Sequence, residues 1–437
     1  MANLLTVGAA RDTLTPDDVA KVSFGNLKVD LDVSNLSRVR KESPKPGAFQ
    51  AEQLDEIDVD PEKAAGESTS FESHRFSPER TRAALLCVLK RLAAGNSGVR
   101  DVLLTSLASL INQSQARLDE FATDAQVLAP LCTFFHGRPE KVSLAEETAR
   151  AVLGAAPPAV SAAERLQLEG GLPVTCGLMC LATVQLSALQ GLCTAVLALS
   201  CDALRASSAP FDASRIEAGQ NKLAVAVGAE VLSLLEGSTQ INAKPRDGGT
   251  GTVPELTQGF LKVAELQAAN AASSAATRGE LAAAAAPAPL PTTDTLPNAA
   301  TALTMAGLAV AACGLSRTEM LAQALQAQAP DGAAAGATHA ESSLQQSATL
   351  LVEKLRAQGV SFAGRAQKRA QAAVSAAMAP VDVPTPGASS ALLAADIADW
   401  LQQCIALEAL LAVLVLRRRQ DSASAAKGAL CLLEERP

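Results

Sequence analysis

No residue between positions 170 and 201 carries a charge. A helix of that composition has no polar face to give to water. It must sit at the centre of a large helical bundle or cross a bilayer. The stretch also holds Thr175, Thr183, Gln185, Ser187, Gln190, Thr194 and Ser200, and Pro173 and Gly191 interrupt it. Hydroxyls and amides are costly in lipid without partners, so the bundle centre is the favoured reading and a membrane span the alternative. A second apolar run, residues 405–416, is too short to span and contains Glu408.

What surrounds such a helix follows from composition. Apolar residues make up 48% of the 437 and aromatic residues only 3%, with no tyrosine at all. The core must therefore be built from Ala, Leu and Val. Ala and Leu are the strongest helix formers, and strand-forming residue types are thin. The net charge of −8 argues against a nucleic-acid partner, which requires concentrated positive charge. The nine cysteines are scattered. Cys176 and Cys180 stand four apart with no second pair or histidine at zinc spacing, and His74, His136 and His339 are far from one another. The expectation is buried thiols in a reducing compartment and no metal. Residues 1–10 are too short and too weakly basic for a clear secretory leader.

Along the chain, Thr15-Pro16-Asp17-Asp18 is a helix start, with a capping hydroxyl, a proline and then acids against the positive end of the dipole. Residues 28–33 alternate as one short strand. Residues 41–80 are polar and irregular. Helices are predicted over 78–94, 99–118, 143–153, 161–168 continuing into the charge-free run, 214–236, 253–278, 298–328, 341–358 and 391–419. The fold class is all-α, a bundle of long helices with at most a small irregular or β-containing N-terminal part. The expected organisation is a capping segment over 1–77 and a helical-bundle domain over 78–437, with flexible linkers near 279–297 and 329–340. Phosphate-loop, dinucleotide-loop and nucleophile-elbow motifs are missing. The loop at 247–251 follows no strand and is read as a plain connection.

Several segments, in one consistent order, resemble a known family. They are Leu14-Thr15-Pro16-Asp17-Asp18-Val19, then Gly95-Asn96-Ser97-Gly98-Val99-Arg100 behind its helix, and Leu128-Ala129-Pro130-Leu131. Further on come residues 198–205 running to Phe211-Asp212, Gly219-Gln220 with Leu223-Ala224-Val225-Ala226, residues 265–272, and Val383-Pro384-Thr385. Together they resemble the histidine and aromatic amino acid ammonia-lyases. That resemblance implies a tetramer built around a shared bundle of long helices, and an electrophilic cofactor made by cyclising an internal Ala-Ser-Gly.

The functional positions depart from the family. Where the resemblance places Ala-Ser-Gly, this chain has Asp124-Ala125-Gln126. Cyclisation needs a serine to lose water and a glycine nitrogen to attack, so no cofactor is expected. Thr175 stands where the resemblance places the cofactor-supporting asparagine. Ala243 replaces a catalytic tyrosine, and Ser390 replaces a glutamate. Gln240 and Arg246 keep the types and spacing of the family's glutamine and carboxylate-binding arginine and are the remaining ligand-binding candidates, although an arginine beside a Gly-rich loop is more often simply solvated.

Two readings follow. In the first, the chain is a catalytically inactive, structural subunit. It would assemble with itself, as a homo-oligomer such as a tetramer, or within a larger protein complex. It would be cytoplasmic, or part of an organellar or cytoskeletal assembly such as a mitochondrial or flagellar one. In the second, it is an enzyme reusing the old pocket, with Cys132 or His136 as nucleophile or base, or an amino-acid sensor using Arg246 to hold a carboxylate.

Overall fold

The computed structural model describes residues 4–8, 14–32, 34, 36–37, 75–94, 98–113, 115–121, 123–136, 142, 144–153, 160–217, 221–238, 240–241, 258–284, 295–327, 339–378 and 387–418. The described chain is mainly α-helical, as its composition predicts. It divides into two compact units interleaved in sequence.

The first unit comprises Met1–Val184, Thr277–Ala300 and Ala376–Leu392. Strand β1 (Leu4–Val7) pairs in parallel with β2 (Lys28–Leu31), Leu4 opposite Lys28 and Val7 opposite Leu31. The alternation over 28–33 marks β2, whereas β1 carries no alternating signal of its own. Between them lies α1 (Pro16–Ser23). Its cap is reciprocal: Asp18 N–H donates to Thr15 Oγ1, and Thr15 N–H donates to Asp18 Oδ2. Helix α2 (Pro78–Ala94) buries Ala83, Ala84, Leu85, Leu86, Val88, Leu89 and Leu92 and packs on α1 and on α3 (Asp101–Asn112). Asn112 holds the outer edge of β2, accepting from Val29 N–H and donating to Val29 O, both at 2.9 Å.

The helix predicted to run to residue 118 stops at Asn112 for a backbone reason. Gln113 turns extended, and Leu118 O accepts from Phe76 N–H while Leu118 N–H donates to the Thr81 hydroxyl. Beside this, Arg75 and Asp119 form an antiparallel bridge. Next come α4 (Asp124–Phe135), α5 (Glu146–Leu153), α6 (Ala162–Glu169) and α7 (Pro173–Leu204), the charge-free helix. Arg100 anchors α6. Its Nε and Nη2 reach Glu164 Oε1 and Oε2 at 2.9 and 2.8 Å, and its backbone N–H reaches Oε1 at 3.0 Å. Glu164 is at the same time the capping-box residue of Ser161.

The second unit comprises Gln185–Ala276, Thr301–Ser375 and Leu393–Pro437. After α7 come a 3-10 turn (Ala209–Phe211), α8 (Ala213–Glu217) and α9 (Lys222–Leu234). The single helix predicted over 214–236 is thus two. Asn221 splits it by capping α9, its Oδ1 accepting from Leu223 and Ala224 N–H. The core here gathers Leu197, Ala198, Cys201, Phe211, Val231, Phe260 and Val263.

Helices α10 (Gln258–Leu261), α11 (Val263–Ala284), α12 (Thr295–Ala327), α13 (His339–Met378) and α14 (Gly387–Arg418) complete the chain. Helix α13 runs 20 residues past its predicted end at Gln358. The glycine that follows, Gly359, does not stop it because the Trp400 ring takes the place of a side chain. A Cβ on Gly359 would lie 2.7 Å from Trp400 Cζ2, and Trp400 Nε1 donates to Leu355 O at 3.1 Å.

The second unit also buries the ion pair of Arg317 and Glu408. Arg317 Nε and Nη2 meet Glu408 Oε1 and Oε2 at 2.5 and 2.9 Å, Ser200 Oγ donates to Glu408 Oε1, and Arg317 Nη1 donates to Gly259 O. Three helical stretches, Ala162–Leu204, Leu296–Gln326 and Gly387–Arg417, are long and apolar enough to cross a membrane by length and composition.

Candidate functional site

The first three residues of α4 are Asp124, Ala125 and Gln126, the tripeptide that replaces Ala-Ser-Gly. They form an ordinary helix start. Thr123 is the N-cap, its hydroxyl accepting from Gln126 N–H at 3.3 Å, and Gln126 Oε1 accepts from Thr123 N–H at 3.2 Å. The Gln126 N–H is thereby held by the cap, one of the first-turn donors that have no acceptor within the helix.

Asp124 turns inward, with 3% of its surface exposed. It meets the first turn of α7. Thr175 N–H donates to Asp124 Oδ1 at 2.9 Å and Thr175 Oγ1 donates to Oδ2 at 2.5 Å. A carboxylate at a helix N-terminus is favoured by the dipole and by the free N–H groups there. Burial nevertheless pushes the Asp124 carboxyl up from its usual value, against the opposing pull of the Thr175 and Val174 donors and the Arg91 charge. Arg91, whose own value burial pushes down, spends its guanidinium on the end of α6, donating to the Gln167, Leu168 and Gly170 carbonyls.

The start of α14 closes the other side. A Cβ on Gly387 would lie 2.6 Å from Thr175 Oγ1. Ser390, one turn further along α14, is 6% exposed. The structure thus gathers the starts of α4, α7 and α14 around one buried Asp–Thr contact. Helices α2 and α7 cross tightly beside it, for a Cβ on Gly177 would lie 2.5 Å from Ala83 O. Thiols of both helices line this place. Contact with Cys180, together with burial, pushes the Cys87 thiol well up, and burial does the same to Cys176.

Gln240 belongs to the second unit. Its Oε1 accepts from Arg205 Nε at 3.0 Å, and its N–H donates to Ser238 Oγ. Arg205 itself holds a left-handed conformation, φ 55°, at the end of α7. Ala243 and Arg246 lie outside the described residues, as do the loop at 247–251 and Val383-Pro384-Thr385.

Cys132 and His136 share a face of α4 but do not form a nucleophile–base pair. Cys132 Sγ is 3.9 Å from Glu169 Oε1, which accepts from Arg165 Nε at 2.7 Å. Burial pushes the Cys132 thiol up to about 12, and burial with Arg165 pushes His136 down. A nucleophilic cysteine needs the opposite shift. Among the described residues no group of three or more His, Cys, Asp and Glu side chains is arranged to hold a metal ion. Sequence reasoning missed Arg91, Cys87 and Gly387. The first two looked like ordinary members of an apolar helix, and Gly387 like a turn residue.

A family model described as aromatic amino acid lyase matches residues 63–253. No curated protein matches the sequence. Solved structures match the fold over nearly the whole chain. Histidine ammonia-lyase from Trypanosoma cruzi is 16% identical with a TM-score of 0.68, covering 97% of this chain and 86% of its own. Tyrosine aminomutase from Streptomyces globisporus is 18% identical with a TM-score of 0.68, covering 99% and 93%. Phenylalanine ammonia-lyase from Rhodosporidium toruloides is 15% identical with a TM-score of 0.64, covering 95% and 70%. The fold is therefore that of the ammonia-lyases and aminomutases, and residues 63–253 are similar in sequence to the aromatic amino acid lyase family.

Proposed function

We propose that this chain is a catalytically inactive lyase homologue that serves as a structural subunit of an oligomer or larger assembly. The observation that carries the reading is the Asp124–Thr175 contact. At the place where the family resemblance puts a cyclised Ala-Ser-Gly and its supporting asparagine, two side chains bond directly to each other in a buried site. The absence of serine and glycine at 125 and 126, and of any tyrosine in the chain, points the same way.

Assembly is supported by apolar side chains that the chain leaves in water. In the second unit Met305 is 52% exposed, Leu350 62%, Val360 70% and Leu410 49%. Exposed large apolar groups of this kind on long helices are what a helix-mediated interface uses. Self-association is the simplest arrangement, and a cytoplasmic setting, or a place within an organellar or cytoskeletal assembly, suits cysteines that form no disulfide among the described residues.

The test is an absorbance assay of the pure full chain with histidine, phenylalanine and tyrosine. No urocanate or cinnamate-type product is expected. Formation of either above background, absent from a D124A control, would overturn the inactive reading.

A further inference from the structure

The C-terminal half of α13 carries Arg365, Lys368 and Arg369. Residues four apart on a helix lie one above the other, so Arg365 and Arg369 share a face. Arg365 lies over the Phe362 ring, 5.5 Å from its centroid, and reaches Asp396 Oδ2 through Nη2 at 3.3 Å. That bond is longer than the 2.7–2.9 Å of a good charge-assisted pair. The other terminal nitrogen of interest is Arg369 Nη1. It is buried and has no hydrogen-bond partner among the described residues. An unsatisfied N–H of a charged group is costly, and such groups are normally paired.

We infer that Arg365 and Arg369 together form a binding site for an oxyanion, a phosphate or carboxylate group held between the two guanidinium forks. Arginine forks match the planar, two-oxygen geometry of these groups. Burial and the neighbouring Arg365 push Arg369 down only to about 10, so it stays charged near neutral pH. Among the described residues these contacts bring Asp396 to the pair, and its single negative charge offsets one of the two positive charges. Lys368, exposed beside them, adds a third. A local positive excess on a chain of net charge −8 concentrates anion attraction at this place.

Calorimetric titration of the full chain with sodium phosphate, and separately with sodium acetate, tests this, with ionic strength held constant by chloride. Saturable binding of phosphate alone identifies a phosphate-bearing ligand. Saturation by acetate as well identifies a carboxylate, as on an acidic partner segment. R369Q is expected to weaken the binding by roughly tenfold or more, in line with loss of a charge-assisted hydrogen bond. R356Q, which changes an exposed arginine paired with Glu319 on the same unit, should leave it unchanged. If R369Q does not fold, R369K keeps the charge, lacks the fork, and should weaken binding too. Absence of saturable binding by either anion, or equal binding by wild type and the Arg369 variants, overturns the site.

Discussion

Gly387 and Thr175 stand so close that any side chain at 387 would displace the Thr175 hydroxyl. A Cβ there would lie 2.6 Å from Oγ1, which is itself 2.5 Å from Asp124 Oδ2. G387A must therefore push Thr175 off its bond or move the start of α14. Loss of a buried hydrogen bond to a charged group costs about 1.5–3 kcal/mol. A fall of that size in urea unfolding is expected, and it should shrink in a T175A background, where the obstacle is gone. Equal costs in both backgrounds would show that the two residues are not coupled.

Glu164 supplies a pH dependence. Burial alone would raise its carboxyl, but the Arg100 fork and the Ser161 and Arg100 backbone donors together hold it below the usual glutamate value. A depressed acid contributes stability that is complete above its unfolded value, about 4.3, and is lost as pH falls through the lower folded value. The unfolding midpoints of wild type and E164Q should therefore differ most at neutral pH and converge below about pH 4. A gap that persists unchanged into acid would contradict this.

How much of this was readable beforehand depends on sequence distance. The helix-start signals at Thr15 and Asp18 are local, three residues apart, and α1 starts where its sequence predicts. The break after Asn112 is not legible locally, because it rests on Leu118 bonding to Phe76 and Thr81 far back in the chain, whereas the Asn221 cap on Leu223 and Ala224 is a local signal that the continuous helix predicted over 214–236 leaves out. The replaced tripeptide at 124–126 was visible as a change of residue type. That Asp124 would turn to Thr175, 51 positions on, was not, since nothing local distinguishes a buried acid from a solvated one. Glu408 looked like a flaw in an apolar helix for the same reason. Its partner Arg317 lies 91 residues away.

That pair predicts an asymmetric mutational result. Arg317 and Glu408 are both nearly sealed from solvent, with side chains 4% and 2% exposed. Removing one partner leaves an uncompensated buried charge, which costs about 3–5 kcal/mol. Replacing both with apolar residues of similar size is often neutral. E408L should thus unfold the protein at markedly lower denaturant than wild type, and R317M/E408L should recover most of the loss. Gly314 sets the room available, since a Cβ there would lie 3.1 Å from Glu408 Oε2. A double variant as unstable as E408L alone would mean that the remaining contacts of Arg317, not the charge pairing, carry the effect.

Leu410 separates assembly from folding. It lies on α14, half exposed, while Leu407, Leu411 and Val415 on the same helix are buried. In a monomer an aspartate at 410 would point into water and cost little, since surface substitutions are usually within about 0.5 kcal/mol. In an assembly that covers α14, the same carboxylate would be buried without a partner, and burying an unpaired charge is prohibitive. Light scattering should then show an oligomer for the unmodified chain and a smaller species for L410D, with helical circular dichroism unchanged. L411D, at a fully buried neighbour, should instead lose both fold and solubility. If the unmodified chain is a well-folded monomer that brings no partner through purification, the structural-subunit reading loses its physical support.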